Sequence, residues 1–503
     1  MNVIIQAGGL GSRLGRHTKN KPKCLVEFEG KTLLQRQLEK YSDEKIFIIA
    51  DYKSTVLEKY VVTFFSNYNI QIVKPTGAKG TLSGLKEASQ RIDNDEPILF
   101  IWSDLVFDKR LYHKDCDIQI FTTNNFLCRY RLNADNNIIK ETSTNDGIMG
   151  AFTIKNKNVL DSIPTTGSFV SGWLKDNLHK LNILKTNISF VREVGELEHL
   201  DREFKNTTSR FFNSIQILEK QVIKECIIPS YDHLLEDEKE WYRTVKSLNF
   251  KNIPKIICFD TFKMEKIVGH HCHKKSNTWN IDKKKRVLNK IGNALHNLHS
   301  LSSIESNKQD IIDVYRNKTL ERIKLVDKLI PFLNTEIIKV NENNLINPLH
   351  VSQIHKFLTK IESLSVDTFN IIHGDPTFNN FLICEDEQVF FFDPRGSFSQ
   401  TKIYGDKRYD WAKLYYSVVG NYDSVNEKRF TIEEYSDTSI SYTIESNKWE
   451  NLEQYLIDLS KVEKQDILLL NCLIWFSLCG YLRDYDSILI SYAKGVELWN
   501  QIC

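Results

Sequence analysis

The chain has 503 residues, enough for two or three domains that each bury a full core. Its 67 basic and 65 acidic residues leave a formal charge of only +2, which excludes the broad basic surface typical of nucleic-acid-binding proteins. Ten cysteines are scattered without a Cys-x-x-Cys pair, as expected for reduced thiols in the cytoplasm. No signal peptide is predicted, because no cationic segment precedes an apolar run at the N-terminus. No membrane span is predicted either, because the longest apolar stretch, Ile467–Leu482, is short for a bilayer and predicts a buried helix.

A glycine-rich loop follows the first apolar segment. Residues 2–25 read NVIIQAGGLGSRLGRHTKNKPKCL, a short predicted strand that runs into closely spaced glycines. Glycines let the backbone approach a polyphosphate and offer it N–H groups. The candidate nucleotide-binding residues of this loop are Gly8, Gly9, Gly11 and Ser12. Arg13 and Lys23 would supply positive charge where the transferred phosphorus becomes more negative, so both are candidate catalytic residues.

A dinucleotide-binding turn is the obvious alternative for this loop. It fits less well, because Arg13 and the Pro22-Lys23 pair lie where that motif needs a helix and a later acidic residue.

The first half of the chain alternates short apolar segments with helical ones. The predicted strands are residues 2–7, 45–50, 70–74 and 97–102, and the predicted helices include Leu33–Tyr41 and Leu82–Arg91. This alternation predicts an α/β domain with a mostly parallel, Rossmann-like sheet covered by helices. Ligands of such sheets bind beyond the carboxyl ends of the strands, which is where the glycine-rich loop falls.

The pattern changes at about residue 210. Strands at Ser214–Leu218 and Gln221–Cys226 are followed by a helix, by further strands, and then mainly by helices from Lys283 onward. This order predicts a second domain of the α+β class. We therefore divide the chain into domains at residues 1–210 and 211–503.

Residues 371–397 contain the set of groups that a phosphoryl transferase needs. They read IIHGDPTFNNFLICEDEQVFFFDPRGS, with Asn380 five residues after Asp375 and Asp393 at the end of a second apolar strand. Asp375 is the candidate base for an acceptor hydroxyl, and Asn380 and Asp393 are candidate Mg²⁺ ligands. His373 is expected to brace the loop by hydrogen bonds. The plainer alternative is a turn that happens to be rich in Asp and Asn.

Two resemblances follow from these motifs. Residues 9–13 and 18–23 are similar to the GxGxR…TxxxPK signature of the nucleotidyltransferases that join NTPs to sugar phosphates or to phosphocholine. The second half resembles the aminoglycoside phosphotransferase and choline kinase family, a branch of the protein-kinase-like fold. The pairing, together with the DPRG segment at residues 393–396 and YDWAKL at 409–414, is similar to two-domain proteins of bacterial capsule loci.

The first resemblance implies further site residues. Gly80 and Thr81 stand where that family contacts the base and ribose, although Thr81 could equally cap an ordinary helix. Asp104 stands where the family has a Mg²⁺ ligand. The second carboxylate of that magnesium site departs from the family pattern, because Glu193 occupies the place of an Asp, and its neighbour Glu196 is an alternative ligand.

The second resemblance implies a nucleotide site for ATP. Lys224 resembles the kinase lysine that holds the α- and β-phosphates, and Glu238 is the helix glutamate predicted to fix it. Glu236 and Glu240 compete for that role. Glu265 lies in the segment that resembles the hinge strand, which receives adenine through backbone groups.

Together the resemblances imply a bifunctional enzyme. A Mg²⁺-dependent kinase would phosphorylate a small alcohol with ATP, and a nucleotidyltransferase would join the phosphate to CMP from CTP, giving a CDP-choline- or CDP-ethanolamine-like donor for surface polysaccharide. The alternatives are a sugar kinase fused to a sugar-1-phosphate nucleotidyltransferase, and one active enzyme with a nucleotide-binding regulatory domain. The expected partners are small-molecule substrates and no nucleic acid. The sequence leaves open whether the chain forms a homo-oligomer.

Overall fold

A computed structural model describes residues 1–76, 80–195, 213–275 and 277–502 of the chain. These residues form two compact units. The first contains the described residues up to 195 together with Arg483–Tyr485, and the second contains the others. The boundary predicted between residues 210 and 211 lies outside the described residues.

The first unit is a mixed α/β structure. Its strands are β1 (Asn2–Gln6), β2 (Glu27–Phe28), β3 (Lys31–Thr32), β4 (Lys45–Ile49), β5 (Ile70–Val73), β6 (Ile98–Trp102), β7 (Leu105–Phe107), β8 (Ile118–Thr123), β9 (Arg131–Leu132), β10 (Ile138–Ile139), β11 (Gly147–Ile154), β12 (Ile183–Asn187) and β13 (Val191–Glu193). Its helices are α1 (Leu33–Lys40), α2 (Ser54–Phe64), α3 (Thr81–Gln90) and α4 (Lys175–Asn177). The four strands and two helices predicted for residues 2–102 are confirmed within one or two residues at each end.

Nine of these strands form one sheet within the described residues, with the order β10-β9-β11-β6-β1-β4-β5, and β8 joins β11 to β12. The strands β6, β1, β4 and β5 run parallel, as predicted. Beyond β6 the prediction of a mostly parallel sheet is wrong, because β11 runs antiparallel to both β6 and β8. The parallel centre is nearly all apolar and fully buried, as expected for strands covered on both faces.

Sheet topology brings the loops of the first unit together. Strands β1 and β6 are parallel neighbours in register from Asn2↔Ile98 to Gln6↔Trp102, so both end at the same edge. The backbone N–H of Ser103 continues this pairing by donating to the carbonyl of Gln6 over 3.2 Å. The short antiparallel pair β7–β13 sets Glu193 opposite Leu105. Leu105 is the neighbour of Asp104 in the chain, so Glu193 and Asp104 lie close to the same edge of the sheet.

The second unit begins with a small antiparallel sheet and continues into helices. Its strands are β14 (Asn213–Ile217), β15 (Gln221–Cys226), β16 (Ile256–Cys258), β17 (Lys263–Glu265), β18 (Ser303–Glu305), β19 (Ile337–Val340), β20 (Asn343–Ile346), β21 (Thr368–Ile371), β22 (Phe381–Ile383), β23 (Val389–Phe391), β24 (Tyr404–Gly405), β25 (Phe430–Tyr435) and β26 (Ser439–Ile444). Its helices are α5 (Asp232–Ser247), α6 (Ile281–Ser300), α7 (Lys308–Ile311), α8 (Lys318–Val326), α9 (Ile354–Glu362), α10 (Lys407–Val418), α11 (Tyr422–Asn426), α12 (Glu453–Ser460), α13 (Lys464–Cys479) and α14 (Tyr485–Ile502).

The first sheet of this unit has the order β14-β15-β17-β16, and α5 follows β15. The expectation of mainly helices beyond Lys283 is incomplete, since a β20-β19-β26-β25 sheet and a β18-β21-β24 sheet lie among those helices. Strands β25 and β26 form an antiparallel hairpin with a bulge between Ile432 and Glu434. Their chain segments are short and polar on one side, and therefore gave no strong apolar signal.

The predicted buried helix is confirmed. Helix α13 covers Lys464–Cys479, and almost all of its residues from Ile467 onward are buried. It packs against α8 and α10, which places it in the core of the second unit. Within the part of the chain that the structure describes, we find no helix with the length and apolar character that a bilayer crossing requires.

Candidate active sites

Two of the three glycines in the loop after β1, Gly9 and Gly11, have different surroundings. Gly11 has a φ of +63°, and a Cβ there would lie 2.9 Å from the Thr18 methyl group and 3.1 Å from the Lys23 Cβ. Gly11 is therefore required by the fold itself. A Cβ on Gly9 would meet no atom of the described residues within 4 Å. Gly9 thus leaves open space beside the loop, as a close-lying ligand would need.

The loop is closed by hydrogen bonds around Gly11. The Thr18 hydroxyl donates to the Gly11 carbonyl over 3.0 Å, and the Leu14 N–H donates to the same carbonyl over 2.8 Å. These bonds start a 3₁₀ turn over Ser12–Thr18. Ser12 and Arg13 lie exposed on it, so both side chains are accessible to a ligand.

Lys23 reaches the carboxylate that follows β6. Its Nζ lies 2.5 Å from Asp104 Oδ2, and each side chain keeps only a small exposed fraction, 11% and 15%. Asp104 lies two residues beyond the end of the buried strand β6, whose position is fixed by pairing with β1. The structure therefore brings together a predicted catalytic cation and a predicted metal ligand.

A second ion pair lies next to the first. Arg13 Nη2 lies 3.3 Å from Glu193 Oε1 at the end of β13. Burial and the nearby negative charge of Asp104 raise the pKa of Glu193, and the positive charges of Lys23 and Arg13 oppose that shift. The opposing effects mean that Lys23, Asp104, Arg13 and Glu193 form one interacting group of charges.

The chemistry of these donors fits a magnesium ion. Asp104 Oδ1 is buried and has no hydrogen-bond partner within the described residues, and Glu193 is close enough for its pKa to respond to the Asp104 charge. Carboxylate oxygens are the ligands that Mg²⁺ prefers. Asp104 and Glu193 would hold the ion, and the ion would neutralise polyphosphate charge. The alternative ligand, Glu196, lies outside the described residues.

Gly80 and Thr81 are used to build the start of α3. Gly80 has a φ of +132°, and a Cβ there would lie 2.4 Å from the Gly167 carbonyl oxygen. The Thr81 hydroxyl accepts a hydrogen bond from the N–H of Phe169 over 2.9 Å. Thr81 is therefore not the capping residue, and both positions tie α3 to the segment at 167–169. Their contact with a nucleotide stays a prediction.

Cys24 lies beside Lys23 in sequence but is fully buried. Burial raises the pKa of its thiol far above the usual range, so the thiolate is not accessible at neutral pH. Cys24 is a spectator of the site.

In the second unit, Lys224 lies between two carboxylates. Its Nζ is 2.5 Å from Glu238 Oε2 on α5 and 2.5 Å from Asp393 Oδ1 after β23. Burial alone would lower the pKa of Lys224, but the charges and hydrogen bonds of Asp393 and Glu238 raise it overall. Lys224 therefore stays an ammonium ion.

Glu238 is the glutamate of α5 that reaches Lys224. Its two competitors pair elsewhere, Glu236 with Lys239 over 2.7 Å and Glu240 with Arg243 over 3.3 Å. The three glutamates lie at every second position of one helix, so only one of them can point at β15.

The loop between β21 and β22 presents Asp375. Its Oδ1 lies 3.0 Å from Lys413 Nζ, and its Oδ2 lies 3.4 Å from Arg395 Nη2. The Asn380 side-chain amide donates to the Asp375 carbonyl over 2.7 Å and so fixes the loop. Sequence reasoning did not identify Lys413 and Arg395 as site residues, although both lie in the segments that resemble two-domain proteins of bacterial capsule loci.

His373 braces this loop, as expected from the sequence. Its Nε2 donates to the Phe392 carbonyl over 2.9 Å, and its Nδ1 accepts the Asp375 N–H over 3.3 Å. Burial lowers the pKa of His373, so the ring is neutral and matches this assignment of donor and acceptor.

Asp410 on α10 holds the start of the same loop. Its carboxylate accepts the backbone N–H groups of His373 and Gly374 over 2.8 and 2.7 Å, and lies 2.9 Å from His299 Nε2. With every carboxylate oxygen occupied by protein, Asp410 positions the loop.

Asn380 and Asp393 flank the open end of the β22–β23 hairpin. Phe381 pairs with Phe391, and the Phe392 N–H donates to the Asn380 carbonyl over 3.0 Å. An amide oxygen and a carboxylate at neighbouring positions fit a magnesium ion, which would neutralise the phosphates of a bound nucleotide. Asp393 has a φ of +51°, an uncommon conformation that Asp tolerates better than most residues.

Glu265 is not part of this group of charges. Its Oε1 accepts the Lys255 N–H over 3.1 Å, and its own N–H donates to the Lys255 carbonyl over 2.9 Å. These two bonds join β17 to the residue that precedes β16. Its predicted role toward adenine stays a prediction.

Comparison with known proteins identifies the domain family of the first unit. Residues 3–117 match the model of the MobA-like NTP transferase domain. The first unit therefore has a Rossmann-like nucleotidyltransferase fold. The site at the ends of β1 and β6 lies within the matched residues, apart from Glu193.

The first unit also has cytidylyltransferase relatives. The glucose-1-phosphate cytidylyltransferase of Salmonella typhimurium is 31% identical over an alignment of 133 residues that covers 22% of this chain and 52% of that protein. The CTP:phosphoglutamine cytidylyltransferase of Campylobacter jejuni is 38% identical over 64 residues, 12% of this chain and 25% of that protein. The chain thus spans about half the length of the first relative and a quarter of the second.

A solved structure of the CTP:phosphocholine cytidylyltransferase from Streptococcus pneumoniae covers 40% of this chain and 96% of its own, with 20% identity and a TM-score of 0.34.

Proposed function

We propose that the first unit is a cytidylyltransferase. The observation that carries this proposal is the group of charges formed by Lys23, Asp104, Arg13 and Glu193 beside the glycine-rich loop. The two acids would hold magnesium, while Lys23 and Arg13 would lie against phosphate oxygens that become more negative during transfer. We favour CTP as the nucleotide, because both relatives named above are described as cytidylyltransferases.

We propose that the second unit is an ATP-dependent kinase of the aminoglycoside phosphotransferase type. Its support is the Lys224–Glu238–Asp393 cluster next to a loop that presents Asp375 and Asn380. Lys224 would bind the α- and β-phosphates of ATP, and Asp375 would accept the proton of an alcohol. The alcohol oxygen then bonds to the γ-phosphorus, the bond from that phosphorus to the β,γ-bridging oxygen breaks, and ADP leaves.

The two reactions form a sequence. The phosphate ester made with ATP has a free phosphate oxygen, which attacks the α-phosphorus of CTP and releases pyrophosphate. The product is a CDP-activated alcohol, and its use in capsule or other surface polysaccharide is part of this proposal. Having both units in one chain raises the local concentration of the intermediate. Whether the alcohol is choline or ethanolamine, as the sequence suggests, depends on the charge of the pocket that binds the acceptor.

Two matched variants test the proposal. The full chain is incubated with Mg²⁺, ATP, each NTP and a panel of amino alcohols, polyols and sugars, and the products are identified by mass. Asp375→Asn should abolish ATP-dependent phosphorylation yet still convert a supplied phosphate ester. Lys23→Ala should make the phosphate ester and accumulate it. If one of these variants keeps both reactions, its unit has a regulatory rather than a catalytic role.

A sugar kinase joined to a sugar-1-phosphate nucleotidyltransferase is the second candidate. It is favoured by the name of the Salmonella relative, which acts on glucose 1-phosphate. The same incubation decides between the candidates, since a nucleotide sugar and a CDP-alcohol differ in mass.

A further inference from the structure

A cavity of about 330 Å³ opens beside the catalytic loop of the second unit. Gly374, the residue before Asp375, and Arg395, whose guanidinium touches the Asp375 carboxylate, both line it. The cavity therefore borders the group that is proposed to activate the acceptor. Its volume suits a small polyol or hydroxy acid.

Three cationic side chains line this cavity. Lys318 and Arg322 of α8 line it together with Arg395. Two acids also line it, but each already has donors: Glu238 binds Lys224, and Asp313 Oδ1 accepts bonds from Gln309 and Asn317 over 2.9 and 2.7 Å.

Lys318 lacks an ion-pair partner among the residues that the structure describes. Within the described residues it makes neither a hydrogen bond nor an ion pair, whereas Arg322 donates to the carbonyl and hydroxyl of Ser477 over 3.2 and 3.1 Å. Burial, followed by the positive charges of Arg322, Arg395 and Lys413, lowers the pKa of Lys318, and the negative charge of Asp375 opposes that shift. A partly buried ammonium close to several like charges is unfavourable unless an anion joins it.

We propose that the acceptor alcohol carries an anionic group, a carboxylate or a phosphate, that pairs with Lys318 and Arg322 while its hydroxyl faces Asp375. This inference rests on the proposed kinase function and narrows its substrate class. A cationic alcohol such as choline would meet Lys318, Arg322 and Arg395 as like charges. It would also lack the acid that a cation-binding pocket provides, since Glu238 and Asp313 are occupied.

The test compares alcohols matched in size and different in charge. The full chain with ATP and Mg²⁺ is given glycerate, glycerol 3-phosphate, glycerol, ethanolamine and choline, and ADP release and product mass are followed. We expect kcat/KM for glycerate or glycerol 3-phosphate to exceed that for glycerol at least tenfold, with choline slowest. The better of the two anions identifies a carboxylate or a phosphate as the recognised group. Faster turnover of glycerol, ethanolamine or choline would overturn the inference.

Lys318→Met assigns the effect to this lysine. Acceptor KM should rise about tenfold to a hundredfold, which is the effect of about 1.4–2.7 kcal/mol of lost binding, while KM for ATP stays within about twofold. The melting temperature of the ligand-free protein should not fall, because an unpaired enclosed charge is removed. Lys324→Met, exposed on the same helix, is the control and should change nothing. A raised KM for ATP with an unchanged acceptor KM would show that Lys318 serves the nucleotide instead.

Failure of the kinase proposal gives a different result. In that case no alcohol of the panel releases ADP above the rate of Asp375→Asn. The charge preference is then measured by calorimetric titration of glycerate, glycerol 3-phosphate and choline into the protein with ADP and Mg²⁺. Choline binding as tightly as either anion would overturn the anionic pocket.

Discussion

The two candidate sites each contain one charged side chain with an unsatisfied atom, and these two side chains have opposite sign. In the first unit, Asp104 pairs with Lys23 through Oδ2, but its buried Oδ1 lacks a donor within the described residues. In the second unit, Lys318 is partly buried, and its Nζ lacks an acceptor there.

The difference shows what each site has to bind. A surplus carboxylate oxygen calls for a cation, as a magnesium site does, whereas a surplus ammonium calls for an anion. Both surpluses are unfavourable in the empty protein and become favourable in a complex. The unsatisfied atoms therefore indicate ligand charge more directly than the satisfied ones.

The largest effect on this comparison is expected from Lys224→Met. The change leaves the buried carboxylate of Glu238 and the partly exposed carboxylate of Asp393 without their shared cation. Breaking a buried ion pair in this way costs about 3–5 kcal/mol of unfolding free energy. The variant should also lose the ATP-dependent reaction and keep nucleotidyl transfer. Denaturant unfolding and the two product assays measure these effects.

Lys220→Met is the control for this change, because Lys220 is exposed directly before the same strand. It should leave stability and both reactions unchanged. Equal stability of Lys224→Met and the unchanged protein would contradict the account of Lys224 as the buried cation that holds Glu238 and Asp393 together.

A medium effect is expected where two glycines of one loop are compared. Gly11→Ala places a Cβ at a positive φ and against Thr18 and Lys23, so it should lower the unfolding free energy by about 1–2 kcal/mol. Gly9→Ala fills open space and should leave stability unchanged while weakening CTP binding about tenfold, a change of about 1.4 kcal/mol. Thermal melts and CTP titration separate the two.

Equal affinity of Gly9→Ala and the unchanged protein for CTP would contradict the different roles assigned to Gly9 and Gly11. The open space beside Gly9 would then belong to no ligand, and the glycine-rich loop would be a structural turn.

Sequence patterns predicted the parts of these sites that lie close together in the chain. The spacing from Asp375 to Asn380 and Asp393 is local, and the hairpin β22–β23 brings its two ends together. The loop from Gly8 to Lys23 is local in the same way. The parallel centre of the first sheet was predicted because fully buried strands are continuous apolar runs.

The parts that were missed come from distant elements. Lys318, Arg322 and Lys413 lie on the helices α8 and α10, where charged residues at helical spacing look like an ordinary exposed face. In the antiparallel strand β11, Gly150 has a φ of +92°, and a Cβ there would lie 2.2 Å from the Trp102 ring. Neither feature has a local signature, since each depends on a partner far away in sequence.

The smallest effect is expected from Glu193→Gln, and it is a dependence on pH. Burial and the Asp104 charge raise the pKa of Glu193 in the folded protein. Such a group stabilises the fold fully below its unfolded pKa, about 4.3, and loses that contribution as the pH rises through the folded pKa. Glutamine cannot ionise, so the melting temperature of the variant should rise relative to the unchanged protein between about pH 4 and pH 7, although nucleotidyl transfer falls.

Asp104→Asn supplies the matching test of the cause. With the neighbouring negative charge gone, the pKa of Glu193 should move back toward its usual value. Adding Glu193→Gln to Asp104→Asn should therefore change the pH dependence of the melting temperature less than adding Glu193→Gln to the unchanged protein. A melting-temperature difference that is the same at pH 4 and pH 7 would show that Glu193 ionises as freely in the fold as in the unfolded chain. The two acids would then not share one site, and only Asp104 Oδ1 would still indicate a bound cation in the first unit.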